Sequence, residues 1–269
     1  MSGLAILRDL RFAIKSLGRS PGFTLIAIVT LGLGIGANTS MFSVLNEVLL
    51  RPLPYPDSDH LDRIYRTTAQ NSRGGVSPAD YLDLAAETNG YGEIAAYGIS
   101  DMSLSEPGEP AEMAHGLRIS ANLLSTLGIE PELGRSFRPD EALLGNHRVL
   151  VISHRYWQNR FGGDAHIVGR AVRVDGEAHE IVGVLPAKLY DWRHLGSFDL
   201  FRPLGLTQKE MTDRISTWVR LVGRRSSTLT RAQAEGFIAN FGRRLAADFP
   251  AAHAESTWRT LPIHDGVLP

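Results

Sequence analysis

From Ser20 to Asn46 the chain reads SPGFTLIAIVTLGLGIGANTSMFSVLN and carries no Asp, Glu, Lys or Arg. As helix, about 27 residues at roughly 1.5 Å each cover the roughly 30 Å hydrocarbon core of a bilayer with length to spare. The flanks are asymmetric. Arg8, Arg11, Lys15 and Arg19 precede the stretch, and Glu47, Arg51, Asp57, Asp59 and Asp62 follow it. Cytoplasmic flanks hold the Lys/Arg excess, so the short N-terminus is expected inside and everything after Arg51 on the outer face of a membrane.

Three other readings compete for this stretch. A cleaved signal peptide has a positive n-region and a short apolar core. Here the n-region is long, and the apolar pattern continues past Ala37 through Met41, Phe42, Val44 and Leu45. A buried helix of a soluble protein usually shows a polar stripe, which this run lacks. A dinucleotide fingerprint is suggested by Gly32-Leu-Gly34-Ile-Gly36-Ala37, but the motif needs an acidic residue ending a second strand about 20 residues on. The proline-rich Pro52-Leu53-Pro54-Tyr55-Pro56-Asp57 stands there instead. Gly32 and Gly36 also form G-x-x-x-G, which bares one helix face for close packing in a membrane, although glycine is common in membrane helices in any case.

Residues 4–19 place Leu7, Leu10, Ile14 and Leu17 on one face at helical spacing, and Arg8, Arg11, Lys15 and Arg19 on another. The pattern predicts an interfacial helix with its basic face toward anionic lipid headgroups; the plainer reading is a positive flank that fixes topology. Ser20-Pro21-Gly22 breaks the chain before the span. A formal net charge of −1 over 269 residues and the lack of any nucleic-acid-binding motif argue against a nucleic acid partner. With no cysteine, disulfides, thiolate metal sites and Cys nucleophiles are excluded.

After the span, three prolines stiffen residues 51–56. His60 to Thr68 reads as a strand. Ser77-Pro78-Ala79-Asp80 reads as a helix start, with Ser as N-cap and Pro in the first turn, and the helix is expected to reach Asn89-Gly90. Strands are expected at Ile94–Tyr97, Asp101–Ser105, Glu112–Ile119, Arg148–Ser153 and Thr217–Arg224. Short helices are expected at Ala121–Leu127 and Arg155–Phe161. Arg170–Val174 and Ala178–Val184 flank Asp175-Gly176, a hairpin signal with room for a longer loop. Thr230 to Asp248 is the clearest soluble helix, opened by a Thr230/Gln233 capping box, with Ala234, Phe237, Ile238, Phe241 and Leu245 as its apolar face. A strand at Thr257–Ile263 follows. The pattern predicts an α+β fold: a cytoplasmic basic helix (1–20), a membrane helix (21–47), an α/β subdomain made from both ends (48–110 and 204–269), and a β-rich subdomain inserted between them (111–203).

Candidate chemistry fails on spacing. His179-Glu180 begins H-E-x-x but meets Gly183 where a zinc site needs His. His147, His154 and His166 fall on separate expected elements. Ser153-His154 lacks the G-x-S-x-G setting of a nucleophile, and no P-loop occurs. Trp157, Trp192 and Trp218 read as core or contact residues. Asp191 and His194, three apart beside Trp192 and Arg193, remain as a weak anion or polar-ligand site. No catalytic, cofactor-binding or metal-binding residues are assigned, and no cofactor is expected.

The run LRDLRFAIKSLGRSPGFTLIAIVTLGLGIGANTSMFSVLNEVLLRPLPY resembles the start of MacB/FtsX-type ABC transporter permeases, especially the duplicated orphan permeases abundant in acidobacteria. VSPADYLDL, ISANLLSTLGIEPELGRSF and VLVISHRYWQNRFGGDAHIVGRAVRVDGEAHEIVGVLP follow in order and resemble the MacB-like periplasmic core domain. The resemblance implies an inner-membrane protein with a cytoplasmic N-terminus and a periplasmic domain, made of a porter-like α/β part and an inserted, mostly β part. It implies a dimer, as a homodimer or by pairing with a second permease half, working with a separate ABC ATPase subunit and, in some relatives, a periplasmic adaptor. The work implied is mechanical: ATP-driven motion relayed to the periplasmic domain for export or signalling. The family's three later membrane helices are absent from this sequence, so a partial permease is expected. The alternative of another class is a single-span sensor or scaffold whose outer domain binds a ligand or protein. An envelope hydrolase using Asp191 and His194 is a third.

Overall fold

The computed structural model describes residues 19–45, 55–87, 91–106, 110–187 and 198–266. The uncharged run forms one helix, α1 (Pro21–Leu45), of 25 residues, or about 37 Å at 1.5 Å per residue. Pro21 opens it, where a missing N–H costs nothing. Phe23, Leu25, Ile26, Leu33 and Ile35 stand 64% to 70% exposed. A helix that is apolar on all sides and unburied has the surface lipid requires. Its Thr30 hydroxyl donates to the Ile26 carbonyl at 2.8 Å, so that polar group is satisfied within the helix. Residues 1–52 and 53–269 are separate compact units.

The second unit is built on a mixed sheet. In chain order its strands are β1 (Leu61–Thr67), β2 (Gly92–Ile99), β3 (Met102–Ser105), β4 (Glu112–Ala114), β5 (Gly116–Ile119), β6 (Leu133–Gly134), β7 (Val149–Ile152), β8 (Ala171–Val174), β9 (Glu177–Val184), β10 (Leu200–Pro203), β11 (Arg220–Arg225) and β12 (Thr257–Pro262). They lie side by side as β12-β1-β11-β2-β5-β10-β7-β9-β8-β3-β4, with β6 also on β9. Strands from the two ends of the domain thus gather on one side and strands from its middle on the other. The antiparallel β2–β5 pair, with Tyr97 opposite Ile119, joins them.

Helices cover the sheet where the sequence supplies caps and an apolar stripe. The Oγ of Ser77 accepts from the Asp80 N–H at 3.1 Å and starts α2 (Pro78–Ala86), which buries Tyr81 and Leu84. In α6 (Arg231–Asp248), the Thr230/Gln233 capping box is present at both contacts. Its buried face is Ala234, Ile238, Phe241, Gly242 and Leu245. A Cβ at Gly242 would fall 2.4 Å from Trp258 Cδ1, so glycine there lets α6 settle onto β12. Phe241 meets the Trp258 ring edge-on at 5.2 Å. Shorter helices are α3 (Leu123–Thr126), α4 (His154–Phe161), α5 (Gln208–Thr212) and α7 (Pro250–His253). One core, with Leu117, Leu123 and Phe201, lies beneath the middle of the sheet; a second lies under α2 and α6; a third holds Leu150, Tyr156 and Ile181.

Several local expectations change. The strand expected over Glu112–Ile119 is two, because the chain changes partner at His115: β4 pairs with β3, while β5 pairs with β2 and β10. The helix expected to reach Gly90 ends at Ala86. The Asp175-Gly176 connection is a two-residue turn, tighter than the longer loop the sequence left open. Both residues have positive φ, 52° and 83°, as a type I′ turn demands. Strand β10 and helix α5 were not foreseen, although Thr207 and Glu210 carry a capping-box spacing.

Candidate functional site

On α1, Gly32 and Gly36 lie one helical turn apart on one face, and a Cβ at either would meet nothing within 4 Å. Arg19 is exposed. Arg8, Arg11 and Lys15 lie outside the described residues, as do Trp192, Asp191 and His194.

The domain holds buried ionic clusters. Asp62, counted from sequence as one acid of the span's flank, is instead wholly buried on β1. Its Oδ2 accepts from Arg225 Nε and from the Tyr91 hydroxyl, each at 2.7 Å. Burial, and then the Asp62 charge, push the Tyr91 phenol far up. In a second cluster, Arg214 Nη1 donates to the buried Asp80 Oδ1 at 2.7 Å and Nη2 to Asp83 Oδ2 at 2.7 Å. His253, also wholly buried, sits 3.2 Å from Asp80 Oδ1 without the alignment of a hydrogen bond. Charges buried this way are held by their partners, and removing one partner strands the other.

Several residues weighed for chemistry contact neighbouring elements. Ser153 caps α4, its Oγ accepting from the Tyr156 N–H at 3.1 Å and donating to Asp199 Oδ1 at 3.3 Å. His154 pairs with Glu132. His179 is buried on β9, and burial holds its pKa below the ordinary value. Burial, reinforced by His179, does the same for His147. Burial, then Glu112, push the Tyr156 phenol up to about 12. Among the described residues, no three His, Cys, Asp or Glu side chains gather as a metal site. Trp157 Nε1 donates to the Asp164 carbonyl at 2.9 Å, and Trp218 lies 4.6 Å beneath the Arg118 guanidinium.

An open groove of about 840 Å³ lies between α2, β2, α3, the turn at Pro139–Ala142 and the segment leading into α5. Its rim is fixed on two sides. Arg118 Nε donates to the Leu204 carbonyl at 2.8 Å and Nη1 to Glu210 Oε1 at 2.9 Å, which anchors the α5 side. Across the groove, Arg135 grips Glu141 with two bonds of 2.9 and 2.7 Å. Burial works against the Glu141 carboxylate, but Arg135 and the Arg138 N–H outweigh it and hold its pKa below the usual range. The sequence reading missed this groove. Its one local signal was Leu143-Leu144, an apolar pair in a turn-rich stretch.

Comparison with known proteins follows the same architecture. The family model of the MacB-like periplasmic core domain matches residues 24–237. Among solved structures, a domain of a protein assigned as a permease from Porphyromonas gingivalis is similar at 15% identity, with 77% of this chain and 92% of that one covered and a TM-score of 0.59. The periplasmic region of MacB from Actinobacillus actinomycetemcomitans is similar at 14% identity, with 77% and 91% covered and a TM-score of 0.57. The extracellular domain of the noncanonic ABC-type transporter YknZ from Gram-positive bacteria is similar at 14% identity, with 75% and 99% covered and a TM-score of 0.54. At such identities the structures show a shared fold. A search of curated proteins gives no match. By the family match, which spans most of its length, the chain belongs to the family of the MacB-like periplasmic core domain.

Proposed function

We propose that this chain is the membrane-subunit side of an ABC-type export or mechanotransmission system, with its outer domain relaying ATP-driven motion from a separate ATPase. One observation carries the reading: the family match begins within α1 and runs into α6, so the membrane helix and the domain form one continuous family unit. The related structures are a periplasmic region and an extracellular domain of transporters, which supports an extracytoplasmic placement. The basic N-terminal flank then lies in the cytoplasm, against the inner membrane. Arg8, Arg11, Lys15 and Arg19 face anionic headgroups, and Gly32 and Gly36 face a partner helix in a homodimer or a pair with a second permease half. A periplasmic adaptor meets the outer domain. The strands from the two ends of the domain (β1, β2, β11 and β12) act as one lever and those from the middle as another, a division near residues 111–203 but with β3 on the middle side. A relay needs stiff parts, and the buried Asp62–Arg225 and Asp80–Arg214 pairs supply them.

The test is recovery of the full-length gene product, tagged and mildly solubilised from its own host. An ABC ATPase subunit is expected in stoichiometric amount, dissociating when Gly32 and Gly36 are both replaced by Leu only if the dimer is also lost. Recovery of a homogeneous complex with no ATPase would favour the single-span sensor instead.

A further inference from the structure

We propose that the groove is a binding site for an uncharged, apolar small molecule, a role independent of any coupling to an ATPase. Its volume of about 840 Å³ falls within the roughly 300–1,000 Å³ of small-molecule sites. The body is apolar: Leu82, Ala85, Leu143, Leu144, Leu206 and Met211 line it. Leu143 and Leu144 stand 61% and 57% exposed. Exposed leucines in a mobile loop would turn inward at a gain of roughly 25 cal/mol per Å². Here they cannot. The turn that carries them is locked by the bidentate Arg135–Glu141 pair, by the Arg138 N–H donating to Glu141 Oε2 at 2.7 Å, and by a backbone bridge between Leu143 and Leu206. The chain commits an ion pair, its Glu141 carboxylate buried and its Arg135 partly exposed, to holding two leucines over an open cavity.

The chemistry of the floor selects the ligand. Ser120 Oγ accepts from the Ala96 N–H at 3.0 Å and donates to Asn122 Oδ1 at 2.7 Å. Asn122 Nδ2 donates to the Ile94 carbonyl at 3.1 Å, and Ser125 Oγ to the Asn122 carbonyl at 2.9 Å. Ser120, Asn122 and Ser125 are thus paired within the protein, which leaves few polar groups of the lining to recruit a sugar or peptide backbone. Among the described residues that line the groove, Glu93 is the one carboxylate and none is Lys, Arg or His. Its Oε2 is held by the Thr126 hydroxyl at 3.0 Å. That charge disfavours anions and leaves a neutral body unopposed. A groove of about 840 Å³ matches a small molecule, whereas a second protein needs roughly 800 Å² on each partner for a stable interface.

Because the chain has no cysteine, Ala142→Cys places one reactive thiol in the groove, and Ala171→Cys on exposed β8 serves as control. The full chain in lipid nanodiscs is labelled with N-ethylmaleimide, alone and with N-phenyl-1-naphthylamine, an uncharged fluorophore. At about four times its Kd the probe is expected to slow the Ala142→Cys reaction about fivefold by occupancy, and to leave Ala171→Cys unchanged. The anionic 8-anilinonaphthalene-1-sulfonate should protect far less. Leu82→Glu, checked for an unchanged unfolding midpoint, should abolish protection. The proposal is overturned by no protection, by equal slowing at both thiols, or by equal protection from the anionic probe. It is also overturned if the thiol is shielded without probe in proportion to copies per disc, since the occupant is then a second chain.

Discussion

His253 shows what one residue contributes when the fold surrounds it with charge. Three elements face it: α2 with Asp80, the segment after α5 with Arg214, and β1 with Arg66, whose guanidinium donates to the Ala252 carbonyl. Burial disfavours the imidazolium; Asp80 opposes that, while Arg66 and Arg214 add to it, and the pKa lies below its ordinary 6.5. The unfolded chain therefore takes up a proton near pH 6.5 that the folded chain refuses. Stability is full above that pH and falls as pH drops toward the folded value, by at most about 1.4 kcal/mol per pH unit for one proton. His253→Gln should remove this slope and leave those of His147 and His179 in place. Denaturant midpoints of the full chain in detergent at pH 7.5 and 5.5 measure it; parallel slopes for the two proteins would refute the assignment.

Helix α6 was legible at the scale of the element because its signals are local. Thr230 and Gln233 are three residues apart and exchange hydrogen bonds, with the Thr230 N–H donating to Gln233 Oε1 at 2.9 Å. Thr230→Ala should cost about 1 kcal/mol, as lost N-caps do, read as a shift in unfolding midpoint, while Thr230→Ser should cost much less. An equal loss for both would mean that the methyl group, not the cap, matters. Helix α2 was equally clear from Ser77 and Pro78, and the β8–β9 turn from Asp175-Gly176. Elements defined by distant partners were not legible. Strand β10 exists because β5 and β7 flank it, and the break at His115 exists because β4 and β5 serve different neighbours. The groove was hidden for the same reason: five separate segments assemble it, and only Leu143-Leu144 marked it. Asp62 misled the reading in the opposite sense, since a residue that looks like a solvated flank charge is half of a buried pair.

For the molecule as a whole, the decisive quantity is which side of the bilayer each end occupies. The apolar run of α1 supplies a span, and roughly +4 of formal charge from Arg8, Arg11, Lys15 and Arg19 against the acidic residues beyond Asn46 supplies a direction, because Lys and Arg near a span are retained in the cytoplasm. Asp62 weakens the acidic side of that balance now that it is buried, yet acidic residues contribute little to orientation, so the basic cluster alone sets the expectation. With no native cysteine to confuse the readout, Ser2→Cys and Ala171→Cys can each be probed in intact spheroplasts with a membrane-impermeant maleimide. Ala171→Cys should label at once, and Ser2→Cys only after lysis. The reverse order would put the sheet and its groove in the cytoplasm, and labelling of both without lysis would mean that α1 does not cross. Replacing Arg8, Arg11, Lys15 and Arg19 with Gln should leave the domain folded and scramble the orientation, because the charges act on insertion and the sheet carries its own core.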